Sequence, residues 1–129
     1  LDPENQSLKV LDGRFDIIHA ASFFHLFGWD EQVKVGERIV KFLKPDVKNS
    51  FVLGRQVGTR EPLTLEAYRE KGERRYLHDV KTFQALWDEI GAKTGTKWKA
   101  GGELVETWFE ATGERIPRMV FTFVVNRVD

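Results

Sequence analysis

Two stretches decide the fold: Phe15-Asp16-Ile17-Ile18-His19-Ala20, and Ser50-Phe51-Val52-Leu53-Gly54-Arg55-Gln56-Val57-Gly58. Both are short and rich in β-branched or aromatic residues, and a Gly turn precedes the first, which makes each a strand. Apolar side chains fall on both faces of the first, as in a strand buried in a parallel sheet. Between them Val33, Gly36, Val40 and Leu43 share one helical stripe, with Ile39 beside it. Asp30 stands where an N-cap is needed, Glu31 adds favourable charge in the first turn, and Pro45 stops the helix. A strand–helix–strand unit needs a crossover connection, so the two strands are expected to run parallel and right-handed.

Outward from this unit the pattern changes. Residues 1–14 are polar and turn-rich, with Asp2-Pro3 and Asp12-Gly13 as breakers and a short helical turn over 7–11. Pro62 and Thr64 open a short charged helix over 65–71, read as a surface lid or connector. A longer helix over 79–90 carries Val80, Phe83, Leu86, Trp87 and Ile90 on its apolar face, with Gly91 suited to the C-cap. Residues 92–102, with Gly95, Gly101 and Gly102, read as a loop. Residues 103–110 alternate as a strand, 111–114 turn, and 118–128 form a long strand. Met119, Phe121, Phe123 and Val125 share one face of it, and Val120, Thr122 and Val124 the other. A strand apolar on both faces lies inside a sheet, and the tight turn before it implies an antiparallel hairpin. The fold class is α/β, with parallel strands and a C-terminal antiparallel hairpin.

The bulk composition excludes several function classes. The 129 residues, 41% hydrophobic and 31% charged, make one globular domain with an ordinary core. Lys and Arg number 20 and so do Asp and Glu, and the signs are interspersed. No net positive field gathers phosphates, so nucleic acid and an anionic membrane are not expected partners. With no cysteine, thiolate nucleophiles, disulfides and cysteine-ligated metals are excluded. A cytoplasmic setting fits, and no apolar run approaches the roughly 20 residues that span a bilayer. His19, His25 and His78 show no metal-ligand spacing on one helix face, so no metal site is expected. Gly54 and Gly58 suit close backbone approach; they are no phosphate loop, since no Lys-Ser or Lys-Thr follows.

Local motifs sharpen the reading. Gly13-Arg14-Phe15-Asp16-Ile17-Ile18-His19-Ala20 resembles the fourth-strand motif of class I S-adenosylmethionine-dependent methyltransferases. Ala20-Ala21-Ser22-Phe23-Phe24-His25-Leu26-Phe27-Gly28-Trp29 resembles the segment that follows it in a group of fungal small-molecule methyltransferases. So do Gly54-Arg55-Gln56-Val57-Gly58, residues 78–87, and Gly95-Thr96-Lys97-Trp98. The resemblance covers nearly the whole chain and implies a Rossmann-like half-sheet: the C-terminal part of a methyltransferase domain, without the glycine-rich half that holds most of the cofactor. Asp2 would be the tail of the adenine-side acidic loop. Many members of that group act on polyketide or meroterpenoid intermediates, some on carboxyl oxygens. The implied function is methyl transfer from S-adenosylmethionine to a small, largely apolar acceptor, with this fragment incompetent alone.

Candidate site residues follow from position and chemistry. In doubly wound sheets ligands sit off the carboxyl ends of the strands, where His19, Ala20 and Ala21 stand. The resemblance implies that backbone groups there meet the methionine end of the cofactor; the alternative is an ordinary strand end. His25 could take a proton from a substrate hydroxyl or orient a carboxylate, or simply pack over the first helix. Phe23, Phe24 and Trp29 would wall an apolar acceptor pocket, or belong to the core. His78 is a cap or a second pocket residue, and Trp87 is core. The free edge of the first strand would meet the absent N-terminal half or a second copy of the chain. A rival reading uses that edge and the apolar loop for a non-catalytic interaction module.

Overall fold

A computed structural model describes residues 6–45 and 50–129. The Asp2-Pro3 breaker and the reading of Asp2 as part of an acidic loop lie outside the described residues. After a 3-10 helix, Gln6–Leu11, come strand β1 (Ile17–His19), a 3-10 turn (Phe24–Leu26), helix α1 (Trp29–Phe42) and strand β2 (Phe51–Val57). Helices α2 (Leu65–Lys71) and α3 (Val80–Thr94) and strands β3 (Trp98–Ala111) and β4 (Glu114–Arg127) complete the order. The strands form one mixed sheet in the order β1-β2-β4-β3. β1 and β2 are parallel, with Ile18 beside Val52. β4 lies between β2 and β3, antiparallel to both. The two decisive stretches therefore pair as their patterns predict.

The core lies on one sheet face. Val52, Phe121, Phe123 and Val125 are fully buried there, against Phe83, Leu86, Trp87 and Ile90 of α3. Phe24 stands edge-to-face with Phe83, Trp87 and Phe123, geometry that adds about 0.5–1.5 kcal/mol per pair beyond burial. α1 packs on α3 where Gly36 meets Ile90; any Cβ at Gly36 would collide with that side chain. On the opposite face Ile17, Val105 and Val124 are 40–51% exposed, because no helix among the described residues covers it.

Several boundaries depart from the sequence pattern for identifiable reasons. The first strand is three residues, not six, and Ile17 and His19 are exposed rather than buried, since β1 is an edge. α1 is capped at Gly28, not Asp30. The Tyr68 hydroxyl of α2 accepts from the Trp29 N–H, standing in for a capping side chain, and it fills the space a Cβ at Gly28 would need. α3 runs on through Gly91, which is glycine because the Thr96 carbonyl occupies its Cβ position; Gly95, at φ +70°, is the true C-cap. The stretch 92–102 is not a loop, since β3 begins at Trp98 and carries Gly101 and Gly102 within it. Gly102 sits against the Thr122 carbonyl of β4, where a side chain would not fit. The hairpin turns at Thr112 and Gly113, both at positive φ, as a two-residue connection requires.

Candidate functional site

The loop after β1 continues the sheet without being a strand. The Ala20 N–H donates to the Leu53 carbonyl (2.8 Å), and the Ser22 N–H to the Arg55 carbonyl (2.7 Å). At the next position along β2 an imidazole replaces the backbone: the Val57 N–H donates to His25 Nδ1 at 3.4 Å. Residues 20–25 thereby extend the pairing of β1 along the edge of β2 as far as Val57. Gly54 makes the approach possible, because a Cβ there would strike the Ala20 carbonyl. Ser22 holds φ +53°, a left-handed conformation costing about 1 kcal/mol in a non-glycine residue.

This geometry brings His19, Ala20, Ala21 and Phe23 together. With Ile18, and with Ile39 and Phe42 of α1, they line a cleft of about 230 Å³ at the carboxyl end of β1. Ser22, between Ala21 and Phe23 in sequence, lines a different crevice, of about 390 Å³, with Arg55 and Arg118. The loop thus stands as a partition with a crevice on each side.

His25 is 7% exposed. Burial lowers its pKa below 6.5, and the positive fields of Arg75 and Arg118 lower it further. The ring is neutral at pH 7. With Nδ1 accepting from Val57, the proton resides on Nε2, which is a donor; His25 lines neither the cleft nor the crevice. Of the two chemical roles weighed for His25, orienting an oxygen fits this tautomer better than taking a proton.

Phe24, Trp29 and His78 line neither the cleft nor the crevice; they pack inward, the alternative weighed for Phe24 and Trp29. Phe24 is fully buried among core aromatics. Trp29 is 3% exposed, packs edge-on to Tyr76 and donates its indole N–H to Glu89. His78 is fully buried in a polar clamp. Gln32 donates to the Phe27 and Tyr76 carbonyls, both at 2.9 Å, so its Oε1 accepts from His78 Nε2 at 2.7 Å. His78 Nδ1 then accepts from the Thr82 hydroxyl at 2.9 Å. Every position of the neutral tautomer is filled, and burial holds the pKa down at about 3. The clamp ties the end of the loop to α1 and to the start of α3, beside the capping box of Asp79 and Thr82.

Sequence reading missed Arg55, Arg75, Arg118 and Gln32. A balanced net charge hides a local cluster of arginines. Arg55 was open to notice, as a charge beside Gly54 inside an otherwise apolar strand. Arg75 and Arg118 reach the site only through tertiary structure. Gln32 lies within the helical stripe and carries no signal of its own.

No protein-family model matches the chain. Curated relatives do. The chain is 37% identical over 98 residues to the O-methyltransferase phiE of a fungal species, covering 76% of the chain and 32% of that protein. To the O-methyltransferase atr3 of Stereocaulon alpinum it is 36% identical over 104 residues, 81% of the chain and 30% of the relative. To the methyltransferase ausD of Penicillium brasilianum it is 28% identical over 111 residues, 82% and 39% respectively. The chain spans about a third of the length of these relatives. By descent, then, it is a relative of fungal methyltransferases.

Proposed function

We propose that the chain is the C-terminal part of a class I methyltransferase domain that moves a methyl group from S-adenosylmethionine to a small, largely apolar acceptor. The carboxyl or hydroxyl oxygen of a secondary metabolite is the acceptor atom favoured. The observation that carries this reading is the cleft at the carboxyl end of β1, a strand parallel to β2, formed by the residues expected to meet the cofactor. The strand order, with the last strand inserted antiparallel beside β2, supports the same reading.

The cleft fits part of the cofactor. Its walls are apolar and small, Ala20 and Ala21 against Phe23, Ile39 and Phe42, and suit the uncharged surface around the reacting sulfur. No acidic side chain lines it to hold ribose hydroxyls, so those contacts fall to the rest of a longer protein. When bound, the sulfonium supplies an electrophilic methyl group for in-line displacement. This chain's own part is positioning: the loop holds the cleft open, and His25 donates from Nε2 to orient an acceptor oxygen. The unpaired edge of β1 joins the remaining strands of the domain.

Calorimetric titration with S-adenosylhomocysteine tests this. One sample is the chain alone, and the other is phiE with its corresponding segment replaced by this chain. Binding in the chimera with none, or much weaker, in the isolated chain is expected. A folded chimera that binds nothing, together with a stable dimer of the isolated chain, would favour the interaction module, for which the exposed β1 edge speaks.

A further inference from the structure

β2 ends at Val57, opposite Val120, yet β3 and β4 run on as a two-stranded ribbon through 106–111 and 114–119. At about 3.3 Å per residue the ribbon overhangs the carboxyl end of β2 by roughly 20 Å. A free two-stranded ribbon is marginal in water, and this one exposes Trp108 (51%) and Phe109 (42%). The ribbon rises on the side where the 20–25 loop lies, and the 390 Å³ crevice sits at its base.

The crevice has a definite chemistry. Arg55, Thr107, Phe109, Arg118 and Val120 belong to the same sheet face by register and all line it. Among the described residues neither Arg55 nor Arg118 has a carboxylate partner. The Arg118 guanidinium instead lies 5.7 Å from the centre of the Phe109 ring. Ser22 lines the crevice, while its chain neighbours Ala21 and Phe23 line the cofactor-side cleft. Gln56 also borders the crevice, but by register its side chain lies on the core face with Phe121.

We infer that this crevice is the acceptor site, and that the overhanging ribbon selects the acceptor: Phe109 meets a flat apolar ring while Arg55 and Arg118 fix an anionic group on it. The acceptor role rests on the methyl-transfer reading above; the binding itself does not. Consecutive residues of one loop, Ala21, Ser22 and Phe23, line the two cavities in turn, which puts acceptor and donor on the same loop. Arg118 also sets part of the field felt at His25.

The experiment titrates the chain with 1-naphthoate and with its neutral counterpart 1-naphthalenemethanol, following ¹H–¹⁵N spectra. The naphthoate should bind at least about tenfold tighter and shift Phe109, Arg118 and the Trp108 indole. The double variant Arg55→Gln, Arg118→Gln should reduce that preference to within about threefold, and Phe109→Ala should weaken both ligands. The buried Trp87 indole signal reports whether each variant keeps its fold. Equal affinity for the two probes, an unchanged preference in the double variant, no binding of either, or shifts confined to other surfaces would overturn the proposal. Naphthoate binding by a chain whose phiE chimera ignores S-adenosylhomocysteine would leave the crevice standing and remove the transferase reading. The reverse result would do the opposite.

Discussion

The two faces of the sheet differ sharply, although β4 offers apolar side chains to both. On one face Phe121, Phe123 and Val125 are closed over by α3, and the ring of Phe24 completes the layer. On the other, Val124 and Val105 meet solvent. Apolar alternation on both faces of a strand predicts that both are covered in the complete protein; it does not say what covers them. The covered face holds the fold together, whereas the crevice is lined mainly from the open face and the cleft lies at the end of β1. Stability and function are therefore expected to separate by face.

The largest effect should come from the covered face. Phe123→Ala removes a fully buried ring that three other aromatics face, and should cost about 3–5 kcal/mol in urea unfolding. A loss below 1 kcal/mol would show the core to be far looser than described.

Beside the loop after β1, Gly54→Ala should cost about 1–3 kcal/mol, because the new methyl group pushes the Ala20 carbonyl off β2. The same variant should speed hydrogen exchange at the Ala20 and Ser22 amides, which the parent chain protects. Unaltered exchange would mean that the loop is not held by β2.

The third test concerns His78. Burial puts its folded pKa at about 3, below the value of 6.5 it regains on unfolding. The unfolded chain therefore takes up the proton first, and stability falls as pH drops from 6.5 towards 3. At pH 5 the loss relative to pH 7 is about 2 kcal/mol. His78→Gln should show a pH 7-to-5 decline smaller by that amount, measured by denaturant midpoints. Identical declines in the two proteins would mean that His78 titrates normally.

The smallest effect belongs to the open face. Val124→Thr, at a position 40% exposed, should change stability by less than about 0.5 kcal/mol. A larger loss would mean that this face is buried in solution, for instance against a second copy.

Much of the architecture was legible because strands and helices repeat with their own periods. The parallel pairing of the two decisive stretches, the α3 stripe and the hairpin at Thr112-Gly113 all follow from patterns local to the chain. The errors came where glycine had a second use. Gly91 reads as a helix stop but exists to admit the Thr96 carbonyl; Gly101 and Gly102 read as loop but sit in a strand. The site was legible in part. His19, Ala20, Ala21 and Phe23 are given by position after a strand. Phe24, Trp29 and His78 turn inward through contacts made only in the tertiary structure, and the left-handed Ser22 leaves no mark in composition.

The most direct test of the account follows backbone amide shifts in the phiE chimera as S-adenosylhomocysteine is added. The account predicts that His19, Ala20, Ala21 and Phe23 move most, while the core amides of α3 stay still. Saturable binding whose shifts fall instead around residues 59–77, with the His19–Phe23 signals unmoved, would contradict it.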